Sequence, residues 1–284
     1  MRLGVSSYSF SRALASGRMT FPDVIDWVAE SGADHLEVAS LNAELLADPQ
    51  LVDDVREHAA AKGVELANYV IGADFRGDDV AEQIATVKAH LDVAHRLGIT
   101  RFRHDVVAWA WRDADQTEYE TTLAALVPIC QEIADHAATL GITTTVENHG
   151  FFMNNSERLR RLVYAVDRPN FRMLLDVGNF LCVDEDPLAA VPRSLEVAAV
   201  VHLKDFLVRD EQPSEGWLTT VAGRSILGAI VGHGDLPVRR LVGIIAASGY
   251  DGPISIEFEG LEDEALAVTT GIANARRYWE EATA

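Results

Sequence analysis

One local pattern recurs along the chain and limits what it can fold into. A helical stretch ends at a glycine, and a short apolar strand follows at once. It reads SGADHLEV at 31–38, KGVELANY at 62–69, LGITRFRH at 97–104 and LGITTTVE at 140–147. Glycine takes the left-handed position just past a helix C-terminus without strain, so each glycine marks a helix stop. Strand candidates lie at 3–10, 35–40, 65–73, 101–107, 143–149, 171–178, 197–204 and 253–259. Each is rich in Val, Ile, Leu or aromatic residues, as strands buried on both faces are. Helical stretches lie between them at 49–62, 78–97, 116–140, 155–166 and 237–248, with another opening at Thr20-Phe21-Pro22-Asp23 and stopping at Gly32.

Alternating strands and helices imply a parallel sheet. Eight such units in 284 residues predict an α/β fold made of one (β/α)₈ TIM barrel across 1–284, which typically needs about 250 residues. An open doubly wound sheet would carry a Gly-rich phosphate loop after its first strand. That position reads SSYSFSRAL instead, with no G-x-G-x-x-G.

Charge narrows the partners. With 24 Lys plus Arg against 44 Asp plus Glu, the net is −20, which repels nucleic acid and anionic membrane surfaces. Residues 1–10 lack the apolar run of a signal peptide, and no apolar run approaches about 18 residues. A cytoplasmic protein is expected. Cys130 and Cys182 are too few for a cysteine-rich metal site and match no redox spacing, so they read as two reduced thiols.

A barrel places its active site at the C-terminal ends of the strands. Four ends are unusually polar: Glu147-Asn148-His149-Gly150, Asp176-Val177-Gly178-Asn179, His202-Leu203-Lys204-Asp205 and Glu257-Phe258-Glu259-Gly260. Glu147, Asp176, His202 and Glu257 can converge as ligands of one divalent ion. Three carboxylates with one imidazole suit Mn²⁺, Mg²⁺ or Co²⁺, with Zn²⁺ also accommodated. Salt bridging is the poorer explanation, because three acids near a single Lys204 repel one another in a buried site.

Further candidates surround this set. His149 serves as an acid or base, or as a hydrogen-bond partner that orients Glu147. Lys204 is placed to bind a substrate hydroxyl, carboxylate or phosphate, and His104, His233, Trp109 and Trp111 are candidate substrate contacts. Tyr8 and Phe10 are expected along the pocket. Asp235 is expected to cap the helix starting at Pro237. His58, His90, His95 and His136 fall in helices and read as solvated.

VENHG (146–150), LLDVGNF (174–180), VHLKDF (201–206), the G-x-G-D loop at Gly232–Asp235 and GYDGPISIEFEG (249–260) resemble the sugar phosphate isomerase/epimerase family, with its xylose-isomerase-like barrel. The resemblance spans nearly the whole chain. It implies an Mn²⁺-type site at Glu147, Asp176, His202 and Glu257, with both glutamates exchanging a substrate proton from opposite faces. That is the chemistry of a sugar isomerase or epimerase working through a metal-stabilised enediolate. The chain departs from the ketose 3-epimerase pattern at one place: Asn179 stands where those enzymes carry a substrate-contacting His, and a His appears at 149 instead.

His149 opens a second route, β-elimination. Relatives in C-glycoside deglycosidases, whose barrel works with a small second subunit, resemble that reading, and a keto-inositol dehydratase would use the same logic. A non-enzymatic sugar-binding barrel is the third class. Abasic-site endonucleases share the barrel but need more histidines at the strand ends; strands two and three here end in EVAS and NY. The expected partner is a small sugar or sugar derivative, with a homo-oligomer or a small second subunit as the protein partner.

Overall fold

The computed structural model describes residues 1–112 and 115–284. Its strands, in chain order, are β1 (Arg2–Ser6), β2 (His35–Val38), β3 (Glu65–Ile71), β4 (Arg101–His104), β5 (Thr143–Glu147), β6 (Phe171–Asp176), β7 (Ala198–Leu203), β8 (Asp205–Arg209), β9 (Leu218–Thr219), β10 (Ser225–Ala229) and β11 (Pro253–Ile256). Eight of them close a barrel in the order β1-β11-β7-β6-β5-β4-β3-β2. Neighbouring barrel strands are parallel. All eight anticipated strands are therefore present, and the α/β barrel is the observed fold.

The local signals act as the sequence predicts. Gly32, Gly63, Gly98 and Gly141 all have positive φ, between 70° and 79°, the conformation that lets each helix stop and the chain turn directly into the next strand. The helix Phe21–Ser31 opens with a capping box: the Asp23 amide donates to the Thr20 hydroxyl at 3.3 Å, and the Thr20 amide donates to the Asp23 carboxylate at 2.7 Å.

Strand ends run shorter than the apolar runs suggested. The first strand stops at Ser6 and continues as a 3₁₀ turn, Ser7–Phe10. Ser9 Oγ ties that turn to the eighth barrel strand, donating to Ile256 O at 3.2 Å and accepting from Phe258 N at 3.0 Å. The chain also folds pieces the repeat did not foretell. Helices form at Asn42–Ala47, Pro187–Ser194 and Glu264–Thr283, and β8, β9 and β10 make a three-stranded antiparallel sheet after β7.

Asp235 is not the cap of the following helix. That helix, Val238–Ala247, starts without a side-chain cap. The Asp235 carboxylate instead accepts from Val208 N at 2.7 Å and Arg209 at 2.9 Å. Asp205 organises the loop in its place, accepting amides from Phe206, Gly232, Gly234 and Leu236. No helix among the described residues is long and apolar enough to cross a membrane.

Candidate active site

β5 and β6 end in Glu147 and Asp176, His202 is the penultimate residue of β7, and Glu257 directly follows β11. Asp176 and His202 are register partners, and the Glu257 amide extends the ladder to Leu203 O at 3.1 Å. These four buried residues each present a ligand atom, and the atoms lie within 4.8 Å of one another.

The unpaired atoms test whether this set fits an ion. Asp176 Oδ1 is held by the amides of Gly178 and Asn179 at 2.7 and 2.8 Å, while Oδ2 has no hydrogen-bond partner. His202 Nε2 lies 2.8 Å from Glu37 Oε2, while Nδ1 has no partner and faces Glu257 Oε2 at 3.5 Å and Asp176 Oδ2 at 3.9 Å. Buried polar atoms are rarely left unpaired. A carboxylate oxygen and a histidine nitrogen facing one point, with the far histidine nitrogen on a carboxylate, match a divalent-ion site. Glu37 is fixed in turn by the Asn68 amide at 2.7 Å. Asn148 pairs with the β6 backbone at Asp176 on both its amide atoms, at 2.8 and 2.9 Å.

Two walls of different character rise from this floor. On the β4–β5 wall, the buried Arg103 guanidinium bridges Glu147 Oε2 at 2.9 Å and Asp105 Oδ1 at 2.7 Å. Asn179 Nδ2 donates to the other Glu147 oxygen at 2.9 Å. Burial pushes the Glu147 carboxyl pKa up; Arg103 pulls it back, and the net direction is up. His149 Nδ1 lies 3.1 Å from Asp105 Oδ2 and 2.7 Å from the Arg103 guanidinium. Burial opposes a charged His149, but the Asp105 carboxylate overrides it and the pKa rises. Nε2 carries a proton when Nδ1 accepts from Arg103 and when the ring is an imidazolium donating to Asp105; a neutral ring with its proton on Nδ1 leaves Nε2 as an acceptor.

On the β7–β11 wall, Lys204 Nζ lies 2.6 Å from Glu257 Oε2, 3.2 Å from Glu259 Oε1 and 3.5 Å from Asp176 Oδ2. Burial would raise the Glu257 pKa, but the Lys204 and His202 charges override it and hold the carboxyl well below its usual range. The two glutamates of one ligand set thus sit in opposite environments.

A family model described as xylose isomerase-like TIM barrel matches residues 25–281. The chain belongs to that family. Among curated relatives, it is 24% identical to the inosose dehydratase of Geobacillus thermodenitrificans, over 93% of this chain and 90% of that one. It is also 24% identical to the 3-oxo-isoapionate decarboxylase of Pectobacterium atrosepticum, over 82% and 77%. Among solved structures, the zinc-bound IolI protein superposes with a TM-score of 0.78 at 16% identity, covering 99% of each chain. The D-psicose 3-epimerase of Clostridium cellulolyticum H10, solved with D-tagatose, superposes with a TM-score of 0.76 at 15% identity, covering 98% and 99%. The two curated relatives of this xylose isomerase-like barrel named above are enzymes, and they do not share one reaction.

Above the ion site lies an open cavity of about 650 Å³. Glu147, Glu257, His149, Asn179, Lys204 and Trp109 line it, while Asp176 and His202 sit fully buried beneath. Tyr8 also lines the cavity, but Phe10 is buried against Trp27.

Three expected substrate contacts lie elsewhere. His104 shares the face of Phe102 and packs among Phe75, Phe102 and Phe171, outside the barrel wall; burial lowers its pKa to about 4. Trp111 is stacked on Phe152 at 3.8 Å with the Arg76 guanidinium over it at 3.7 Å, so it anchors its loop. His233 sits exposed on the loop that Asp205 holds and does not line the cavity. His149 does not bond Glu147; Arg103 and Asn179 orient that carboxylate instead. Cys130 and Cys182 are both free, and burial pushes Cys182, at the cavity edge, up to about 12. Among the helix histidines, His90 departs from the solvated reading, buried with its Nδ1 3.0 Å from the Tyr69 hydroxyl.

Residues the sequence reading left without a role are Arg103, Asp105, Glu37 and Glu259. Strand alternation held a usable signal for two of them. In HLEV, Leu36 and Val38 share the apolar outward face, which turns Glu37 inward; in RFRH, Phe102 marks the outward face, which turns Arg103 inward.

Proposed function

We propose that the protein is a divalent-metal-dependent lyase that eliminates water from a polyhydroxylated ketone. The observation that carries this is the unlike surroundings of the two glutamates: Glu147 lies against Arg103 and Asn179 with the Asp105–His149 pair one step up the wall, while Glu257 is paired with Lys204 and His202. Environments that push two carboxyls apart divide them into different roles. An ion held by Glu147, Asp176, His202 and Glu257 supplies a Lewis acid for the substrate carbonyl.

In this reading Glu147 takes the proton from the carbon beside the carbonyl. The C–H electron pair becomes the new C=C bond, and the C–O bond at the next carbon breaks. His149 Nε2 donates its proton to the departing hydroxyl, which leaves as water. Asp105 holds the ring in position, and the site resets when solvent returns the proton from Glu147 to the imidazole. The product is an α,β-unsaturated ketone. A base and an acid so placed each typically contribute about 10²–10⁴-fold. The dehydratase among the relatives supports this reading.

An isomerase or epimerase is the second reading. The observation favouring it is that Glu147 and Glu257 present ligand atoms to one small volume, as exchange of a proton between opposite faces requires. One experiment separates the two. The protein is stripped with chelator, restored with Mn²⁺ and incubated in D₂O with ketoses, inososes and 3-keto-glycosides, followed by NMR. The lyase gives a metal-dependent vinylic signal. Deuterium beside the carbonyl with the skeleton intact replaces it with the isomerase. No change in any compound overturns both.

A further inference from the structure

A second cavity, of about 360 Å³, opens at the opposite end of the barrel from the ion site. Side chains two apart on a strand share a face. The inward face that carries Arg103, Glu147 and Asp176 on β4, β5 and β6 therefore presents Arg101, Thr143 and Arg172 near the starts of the same strands. All three line this lower cavity, and both arginines are half-buried there. Arg172 donates to the Glu196 carbonyl at 2.6 Å. Among the described residues, Arg101 has no hydrogen-bond partner, and neither guanidinium has a carboxylate within 4.0 Å. The sequence holds 44 acids for 24 cations, so a shortage of acids does not explain two arginines without a carboxylate in one cavity. One acid, Asp251, lines the cavity, and it is exposed. The Tyr250 hydroxyl donates to Pro253 O at 3.0 Å and pins the loop that carries Asp251.

We propose that this lower cavity is a binding site for a tetrahedral dianion, either a free sulfate or phosphate ion or the phosphate group of a small metabolite, held between Arg101 and Arg172. A guanidinium presents its N–H donors in a rigid fork that meets two oxygens of an oxyanion at once. β5 lies between β4 and β6 in the barrel, so Thr143 offers a hydroxyl donor between the two arginines. A bound dianion gives both guanidiniums the charged partner that the chain itself does not supply. Asp251 weakens the positive charge of the cavity without cancelling it. The volume exceeds that of one small ion, and Pro169, Ala198 and Ala199 on the wall leave room for the carbon skeleton of an ester. None of these residues belongs to the ion site or its cavity, so the inference stands apart from the proposed lyase.

The test is calorimetry of sulfate and of glycerol 3-phosphate with the Mn²⁺-loaded protein, at an ionic strength held constant with NaCl. Both anions should bind, and Arg101→Gln and Arg172→Gln should each weaken them by about tenfold or more. Unchanged Mn²⁺ affinity and melting temperature in these variants show that the fold and the ion site are intact. Asp251→Asn, at an exposed position, tests the same charge with little risk to the fold and should tighten both anions by about two- to fivefold. Tighter binding of glycerol 3-phosphate than of sulfate assigns the site to a phosphate ester; equal binding assigns it to the free ion. No binding of either anion to the native protein, or no tightening in Asp251→Asn, overturns the proposal. So does binding that survives both arginine variants, which would place the anion on the Mn²⁺ ion at the other end of the barrel.

Discussion

The two sides of the ion site are built from the same residue type and differ in what surrounds it. On the β4–β5 side Glu147 is flanked by Arg103 and Asn179, with the Asp105–His149 pair one step further up the wall. On the β7–β11 side Glu257 is flanked by Lys204 and His202, with Glu37 behind the histidine. The first side carries groups that can trade protons with a substrate; the second fixes charge. The difference shows that two like carboxylates of one cluster need not share one environment. Neighbouring charges and burial set how readily each carboxyl takes a proton.

Variants can break that division, and the largest effect falls on the floor both sides share. His202→Ala removes a ligand and leaves Glu37 buried without its partner; Mn²⁺ binding by calorimetry and all turnover should be lost. Next is His149→Asn, which should lower kcat by about 10²–10⁴-fold with Mn²⁺ affinity retained. A comparable loss of Mn²⁺ binding in this variant would show that the two sides are not separable. Glu37→Gln acts on the other side, and should weaken Mn²⁺ by about 10–100-fold, since it changes the group that orients a ligand. If kcat at saturating Mn²⁺ also fell, the anchoring side would share in the chemistry.

The smallest effect lies outside the site and checks the charge reasoning. The Glu264 carboxylate, 5% exposed, pairs with Arg18 at 2.8 Å and Arg12 at 3.4 Å. Burial works to raise its pKa, but the helix-start amide and the two arginines lower it overall. A depressed folded pKa stabilises above the unfolded value, and that stability is lost as pH falls through the folded one. Thermal melts between neutral pH and below 4 should therefore show a shallower acid decline in Glu264→Gln than in the native protein.

Much of the barrel was legible because its signals are local. A glycine at a helix end and an apolar run after it need no knowledge of the rest of the chain. The sheet made by β8, β9 and β10 was not legible, because its register depends on the long-range pairing of Ser225 with Arg209 and Ala229 with Asp205. Placement of His104 failed for a related reason. Which face of a strand looks inward is set by the helices packed outside it, and the neighbouring Phe102 already belonged to that outer layer. Asp105 and Glu259 carried no pattern of their own, since each matters through a partner far along the chain.

The sequence by itself determined the repeat, the barrel and the four strand ends that carry Glu147, Asp176, His202 and Glu257, because period, turn chemistry and strand termini are written within a few residues. Only the tertiary structure decided how those ends differ. Arg103 reaches Glu147 across 44 positions of chain, and Glu37 reaches His202 across 165. Electrostatic environment belongs to the folded neighbourhood, so the difference between the surroundings of two like glutamates appears only once the barrel has closed.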